Sequence, residues 1–335
     1  MPTLYELAIE QRKLLLARDN AVALRLINAY GVVGKDLDNR LSLLSSLIEL
    51  RKANGKQVSV AWLNKEERFT TLLSEVESQI GQLGDLTRTE TASLTKNSSI
   101  TAISDASGLI SRAAEDNGIV AQFNALPFRA TEAIVSATQP TTALSRILDT
   151  FGAEAASRAR NVLLVGISTG QGPRTVAGEF SRVTGASLSR SLLIARTENL
   201  RAYRDSSLIA YGESDLVKAW SWVGTKSLRS CASCLSLDGK VFSLETQFKS
   251  HPRCRCCPIP VLDSGPRARP LAADWFAEQS EEDQQKVIGI EGTKLFRGGK
   301  ISLSDYVRET HSADYGGSYV KGSNEYALKN AAKRK

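Results

Sequence analysis

The chain has 335 residues, of which 42% are hydrophobic and 24% charged, a balance typical of soluble globular proteins with at least one full core. Its net charge of +7 favours a partner rich in negative charge, such as nucleic acid or an acidic protein surface, although an ordinary basic protein fits equally well. The longest apolar run, at residues 162–167, is too short for a membrane span, and the first residues lack the apolar segment of a secretory signal. We therefore expect no membrane anchor and synthesis in a reducing cytoplasm.

Residues 1–82 predict helical hairpins and form the first expected domain. Apolar residues recur at helical spacing in residues 4–15 and again in residues 37–48. Gly31 and Gly34 lie between the two patterns and are expected to separate two helices.

A polar segment follows the N-terminal helices. Asn54 and Gly55 are expected to end the second helix, and a third helical pattern covers residues 61–80. Residues 83–127 are rich in Ser, Thr, Gly and Asn and poor in large apolar side chains. This composition predicts a connector with weak helix and a domain boundary.

Residues 128–262 form the next expected domain, which begins with a helical block up to residue 211. Breaks are expected at Pro140, in the loop of residues 166–173 and near Gly185. The loop is rich in glycine, but it lacks the GK[ST] ending of a phosphate-binding loop, so we reject that function for it.

The sequence pattern changes after residue 212, where the helical block has ended. Residues 218–223 and 240–242 predict two short strands. In the final expected domain, residues 263–335, a helix is predicted near residues 273–290. A Gly- and Ser-rich segment after His311 and a basic tail are expected to be exposed and flexible.

All five cysteines fall between Cys231 and Cys257, and a histidine lies among them. The order is Cys231-x2-Cys234, sixteen residues, His251-x2-Cys254-x-Cys256, and then Cys257. A two-residue gap lets two thiolates bind one ion from a tight turn, and a second short cluster can complete a tetrahedral site. Because mixed sulfur and imidazole donors suit zinc, the spacing predicts a structural Zn²⁺ site.

The spacing leaves the choice of ligands open. Six candidate donors compete for about four places, and Cys231, Cys234 and Cys256 rank first, joined by one or both of His251 and Cys254. Adjacent side chains diverge, so Cys257 is the expected spare. Two alternatives remain: the cysteines are small buried hydrophobic residues, or a disulfide such as Cys231–Cys254 forms outside the cytoplasm. A catalytic use of cysteine and histidine is less favoured.

Several motifs in this order resemble a known family. They are Ala195-Arg196-Thr197-Glu198, Trp220-Ser221-Trp222, Cys231-Ala232-Ser233-Cys234, residues 237–242 (LDGKVF) and residues 251–256 (HPRCRC). Together they are similar to the Mu F-like domain of tailed-phage minor head proteins, also called head morphogenesis proteins, over residues 140–262. Members often carry an acidic residue four positions before the first cysteine, where this chain has Ser227. The resemblance does not cover residues 1–130.

The resemblance implies a non-enzymatic protein of the virion. Such proteins are present in few copies, bind the portal protein inside the head, and act in head assembly and in DNA packaging or ejection. The expected partners are the portal protein, then the major capsid protein, and packaged double-stranded DNA through weak electrostatic contact. The N-terminal helical region is the candidate surface for docking on the portal.

Other motif residues have structural explanations. Arg196 and Glu198 are expected to form a buried ion pair that stabilises the domain, and Trp220 and Trp222 are expected to cover the metal site or the core. The predicted fold is mainly α with a small α+β module, in which a short β-hairpin is held by the Cys/His cluster.

Two functions of other classes remain as alternatives. One is sequence-independent DNA binding by a protein with a structural zinc site. The other is a nuclease or transferase carried in the virion, for which the sequence offers Glu198, Asp238 and Glu245 as candidate carboxylates.

Overall fold

A computed structural model describes residues 2–63, 65–119, 142–168, 171, 173–263, 265, 269–312 and 316–334. The chain forms two compact units. The first takes its residues from the ranges 1–17, 95–140 and 197–335, and the second from 18–94 and 141–196. The roles assigned above to segments 1–82, 83–127, 128–262 and 263–335 remain predictions.

The described residues are mainly α-helical, with two small sheets. The helices are α1 (Leu4–Ala53), α2 (Val60–Leu63), α3 (Glu67–Asp116), α4 (Thr142–Ser168), α5 (Pro173–Gly212), α6 (Ala232–Leu237), α7 (Ala272–Ala277), α8 (Glu281–Arg297) and α9 (Asn324–Lys333), and a 3₁₀ turn covers Leu303–Tyr306. The strands are β1 (Ala219–Val223), β2 (Val241–Ser243), β3 (Cys257–Val261), β4 (Val307–Ser312) and β5 (Gly316–Lys321). The predicted fold class, mainly α with a small α+β module, is confirmed.

The predicted break between two N-terminal helices is wrong. Helix α1 continues through Gly31 and Gly34 and ends at Ala53, next to the predicted Asn54-Gly55 stop. Gly55 has a φ of 71°, the left-handed conformation typical of a helix end. A glycine inside a helix costs only about 1 kcal/mol, and the burial of leucines on both sides of the pair offsets this cost.

The expectation of weak helix in residues 83–127 differs from the structure, because residues 83–116 belong to the long helix α3. Its hydroxyl side chains do not break the helix. Thr87 is fully buried and donates to the carbonyl of Leu83, one turn earlier, at 2.8 Å. Its hydroxyl also lies 3.1 Å from that of Ser191, which contacts Tyr30 at 2.8 Å. The polar residues of α3 therefore contribute to a packed interior.

The break predicted at residues 166–173 is confirmed, since α4 ends at Ser168 and α5 begins at Pro173. Proline is well suited to the first turn of a helix. The break predicted near Gly185 is wrong, because α5 continues to Gly212. The break expected at Pro140 lies outside the described residues.

Both predicted strands are confirmed, and β3 was missed. The three strands form an antiparallel sheet in the order β2-β1-β3, with Trp220 opposite both Phe242 and Pro260. Two prolines in five residues argue against a strand in a sequence. The strand order places β3 at the edge of the sheet, where a missing N–H is tolerated. The carbonyl of Pro258 accepts a hydrogen bond from the Tyr211 hydroxyl at 3.3 Å.

The C-terminal region differs most from the expectation of a flexible tail. Strands β4 and β5 are paired, with Val307 opposite Lys321 at one end and Ser312 opposite Gly316 at the other, and α9 follows them. The helix predicted near residues 273–290 is divided into α7 and α8, and α8 is itself interrupted at Gly289, whose φ of 79° is not helical. The hydroxyl of Ser233 in α6 donates to the carbonyl of Val320 at 2.8 Å, which joins this region to the cysteine segment.

Each unit has its own hydrophobic core. In the second unit, α1, α2 and α3 pack with α4 and α5. In the first unit, one core surrounds β1 and the cysteines, and another joins α6 to α7, α8 and α9. Among the described helices, none combines the length and the apolar character that a bilayer crossing needs.

The glycines of the second unit provide a test of this packing. A Cβ placed on Gly34 meets nothing within 4 Å, whereas one on Gly84 would lie 2.6 Å from the Cα of Gly152 in α4. We expect Gly34→Ala to raise the free energy of unfolding by about 0.5–1 kcal/mol, since alanine favours the helix. Gly84→Ala should lower it by about 1–3 kcal/mol through overpacking. Urea unfolding measures both, and a destabilised Gly34→Ala would contradict a continuous α1.

Candidate metal centre

The first two donors lie at the start of α6. Cys231 is the N-cap residue, and its sulfur accepts from the backbone N–H of Cys234 at 3.5 Å. Cys234 lies in the first turn of the helix and is 4% exposed. The two-residue gap thus brings both sulfurs to the same end of a short helix.

The other donors follow a tight turn before β3. The backbone N–H of Cys254 donates to the carbonyl of His251 at 3.0 Å, and Pro252 and Arg253 lie between them. Arg253 has a φ of 64°, the only positive value among the described non-glycine residues. Proline followed by a residue of positive φ is typical of a type II turn, which directs His251 and Cys254 to one side.

The two halves meet at short range. The Nε2 atom of His251 lies 3.3 Å from the sulfur of Cys231 and 3.1 Å from that of Cys234, and the sulfurs of Cys234 and Cys254 are 3.7 Å apart. In a tetrahedral zinc site, bond lengths of about 2.3 Å to sulfur and 2.0 Å to nitrogen place two sulfurs about 3.8 Å apart and sulfur and nitrogen about 3.5 Å apart. The two sulfur–nitrogen distances are within about 0.4 Å of these values, and the Cys234–Cys254 distance is within about 0.1 Å. Cys254 reaches the other donors through its contact with Cys234 and lies outside the close group of Cys231, Cys234 and His251.

A fifth donor lies beside these four. Two triads have donor atoms within 4.8 Å of one another: one joins Cys231, Cys234 and His251, and the other joins Cys234, Cys254 and Cys256. Cys234 belongs to both triads. The structure therefore brings together all five residues that were predicted to bind metal.

Cys257 belongs to neither triad. Its buried side chain packs in a separate cluster with residues that include Ala8, Leu109 and Val223. All five cysteines are free thiols, and the sulfur of Cys254 lies 3.7 Å from that of Cys234.

Aromatic side chains of the sheet surround the cluster. Trp220 and Trp222 are almost fully buried in the same core as Cys234, as predicted. Phe248 stacks on Trp222 at 3.9 Å and on Trp220 at 5.2 Å between ring centroids. Cys234, Cys254 and Cys256 are buried beside these rings, and burial away from water strengthens electrostatic interactions among them.

The donors shift one another's pKa values. The hydrogen bond from Cys234 and contact with the His251 ring lower the pKa of Cys231 to about 5. Hydrogen bonds from Cys234 and Cys256 hold the pKa of Cys254 well below its usual range. Burial would lower the pKa of His251, but its hydrogen bond to Cys231 and the Cys254 thiolate raise it to about 9. Thiolates are the form that binds metal, and a divalent cation would replace these protons.

Comparison with protein families supports the expected relationship. Residues 158–259 match the model of the family described as Phage Mu protein F like protein. This part of the chain is Mu F-like. The match begins in α4, ends in β3 and contains the complete Cys/His cluster. It confirms the resemblance, and it supports a bacteriophage head protein that belongs to the virion. Comparisons with curated proteins and with solved structures gave no match.

Two residues of the Mu F-like region that hold the segment before β3 in place, Arg204 and Lys249, were not predicted from the sequence. Arg204, in α5, is 2% exposed and donates to the backbone carbonyls of Cys254 at 2.7 Å and Cys256 at 2.8 Å. The two segments are far apart in the chain, and no sequence pattern connects them. The role of Lys249, whose carbonyl accepts from the backbone of Tyr319 in β5 at 2.9 Å, was missed for the same reason.

The predicted ion pair between Arg196 and Glu198 is wrong. Arg196 pairs with Asp19, and Glu198 pairs with Arg201 one turn further along α5. Residues two positions apart on a helix point in different directions, whereas those three or four apart are neighbours. Burial raises the pKa of Glu198 to about 7, with a smaller contribution from Asp205, although Arg201 opposes the rise.

Metal binding can be tested with one substitution and its matched control. Because Cys234 belongs to both triads, we expect Cys234→Ser to weaken zinc affinity at least about 100-fold, since loss of an outer-shell partner alone costs about 10–100-fold. Cys257→Ser should retain wild-type affinity. Competition with a chromophoric chelator measures both, and a Cys234→Ser variant with unchanged affinity would exclude this site.

The shifted pKa of Glu198 predicts how stability depends on pH. The unfolded chain ionises near the ordinary value of 4.5 and the folded chain near 7, so the free energy of unfolding falls as pH rises through this window. Glu198→Gln stays neutral. We expect its stability relative to the wild type to rise by about 1–3 kcal/mol between pH 5 and pH 8.

Urea unfolding at the two pH values measures this change, and the exposed Glu245 provides the control through Glu245→Gln. Parallel pH profiles for the wild type and Glu198→Gln would refute the raised pKa.

Proposed function

We propose that this protein is a minor head protein of a tailed bacteriophage, attached to the portal inside the head, where it acts in head assembly and in DNA packaging or ejection. The observation that carries the proposal is the Mu F-like match over residues 158–259. The net charge of +7 is compatible with weak electrostatic contact to packaged DNA, and the major capsid protein is a further partner in this proposal.

We propose a structural zinc ion as part of this function. Cys231, Cys234, His251 and Cys254 would hold it, and Cys256 lies beside them as the additional donor. When bound, the ion would supply a four-coordinate cross-link between α6 and the turn before β3. Support comes from the donor distances and from the burial of the cysteines. Residues 244–256, all of which are described, form neither helix nor strand, so a cross-link would stabilise a segment without regular structure.

Two of the three candidate carboxylates of an enzyme have structural partners and the third is exposed, which supports a non-enzymatic role. Glu198 pairs with Arg201. Asp238 forms an ion pair with Arg269 at 2.6 Å and accepts from the backbone N–H groups of Gly224 and Ala272 at 2.8 Å each. Glu245 is exposed in the turn after β2.

The proposed docking surface lies on α1. Its exposed apolar side chains in the second unit include Val32, Leu43 and Leu50, which are between 61% and 71% exposed. Their spacings of eleven and seven residues correspond to about three and two turns, so they share one face of the helix. Exposed apolar side chains in a row are typical of protein interaction surfaces.

Substitutions on this face test the docking proposal. Deletion of residues 1–80 would remove core residues such as Leu37 and Leu41, so point variants are preferable. We expect the double variant Leu43→Asp with Leu50→Asp to reduce co-purification with the portal protein about tenfold or more, because a carboxylate cannot be buried unpaired at an interface.

The matched control is Ile290→Asp in α8, since Ile290 is also 61% exposed. Circular dichroism should show unchanged helix content in both variants. Portal binding that survives the α1 substitutions would overturn this docking surface.

A further inference from the structure

We propose that Arg204 is a positioning residue of the metal centre, which holds the ligand-bearing loop in its binding geometry and supplies the positive charge that balances a thiolate–metal centre. The inference deepens the proposed function and rests on the proposed metal site.

The geometry of Arg204 is that of a clamp. Its Nε atom donates to the carbonyl of Cys256 at 2.8 Å, Nη2 to the carbonyl of Cys254 at 2.7 Å, and Nη1 to the hydroxyl of Ser250 at 2.9 Å. The three acceptors lie just before His251 and on both sides of Arg255. A planar guanidinium fixes the direction of each bond, so it sets the path of the loop that presents three of the five donors.

The surroundings of Arg204 explain why this clamp is an arginine. Its guanidinium carbon lies 4.9 Å from the centroid of the Phe248 ring, which in turn stacks on Trp222. A flat cation can lie against this ring and still direct its N–H groups at the loop. A lysine ammonium carries the same charge, but it cannot bond three acceptors in a fixed plane.

The charge of Arg204 needs a counter-charge. The three acceptors are neutral, and the residue is 2% exposed. Asp205, the next residue on α5, is one source of negative charge; burial raises its pKa to about 6, and Arg201 and Arg204 both oppose the rise. Three or four thiolates on a divalent ion leave a net negative charge a short distance beyond the Cys254 and Cys256 carbonyls. The buried cation and the anionic centre therefore stabilise each other.

The orientation of the loop carbonyls supports the same conclusion. A backbone carbonyl near a thiolate is unfavourable if its oxygen points toward the sulfur, since both carry negative charge. The carbonyl oxygens of Cys254 and Cys256 point toward the guanidinium of Arg204, which donates a hydrogen bond to each. The clamp thus turns the negative ends of these two peptide groups toward a cation.

The experiment measures metal affinity in the full-length chain. Zinc affinity is determined by chelator competition, and the cobalt(II) form is examined by visible absorption, which reports the number of thiolate ligands. The variants are Arg204→Lys and Arg204→Met, and the matched control is Arg201→Met, one turn earlier on α5, where the cation pairs with Glu198.

We expect Arg204→Met to weaken zinc affinity about 10–100-fold, the usual effect of an outer-shell partner, and Arg204→Lys to fall between it and the wild type. The cobalt spectrum of Arg204→Met should lose thiolate-to-metal intensity. Arg201→Met should change affinity less than about threefold. If Arg204→Met does not fold, Arg204→Lys compared with Arg201→Lys decides, with a loss of about fivefold or more expected for the former.

Three results would overturn the inference. Wild-type affinity and an unchanged cobalt spectrum in a folded Arg204→Met, or an equal loss in Arg201→Met, would reject Arg204 as the positioning residue while the metal site stands. A wild-type protein that binds neither zinc nor cobalt would reject the metal site and this inference together, while portal binding would still test the proposed head function separately.

Discussion

The segment between β2 and β3 forms neither helix nor strand, and the candidate site depends on what holds it in place. Its backbone is bound by Arg204, its Phe248 ring stacks on Trp222, and the backbone of Lys249 pairs with Tyr319 of β5. Each interaction comes from a different part of the first unit. The position of these donors relative to Cys231 and Cys234 therefore depends on the packing of α5, the sheet and the C-terminal hairpin.

The sheet and the candidate metal site share one hydrophobic core. Trp220 and Trp222 are buried against the cysteines, and a bound ion would join α6 to the turn before β3 within that core. Loss of the ion would leave several buried thiols without a shared partner. A structural metal in such a place contributes directly to the stability of the surrounding fold.

Patterns of large apolar residues and of glycine and proline predicted the secondary structure well only where local preference and tertiary packing agree. Strand β1 and the loop before Pro173 are of this kind. Residues 83–116 are not, because Ser and Thr have low helix preference but bond to the preceding turn and pack closely, as Thr87 does. In the same way, Gly31 and Gly34 weaken a helix locally, while the burial of their neighbours keeps it continuous. Strand β3 carries two prolines, and only its place at the sheet edge permits them.

The sequence alone determined which side chains can bind a metal. The residue types set the donor chemistry, and the two short gaps predict which donors lie close to each other. The choice among six donors needed the tertiary structure. A separation of sixteen residues between Cys234 and His251 does not predict whether their side chains point toward each other. The opposite orientation of the adjacent Cys256 and Cys257 side chains is fixed by the pairing of β3 in the sheet. The contact of Arg204 with the segment before β3 also comes from tertiary structure alone, because a buried cation finds its acceptors through packing rather than through proximity in the chain.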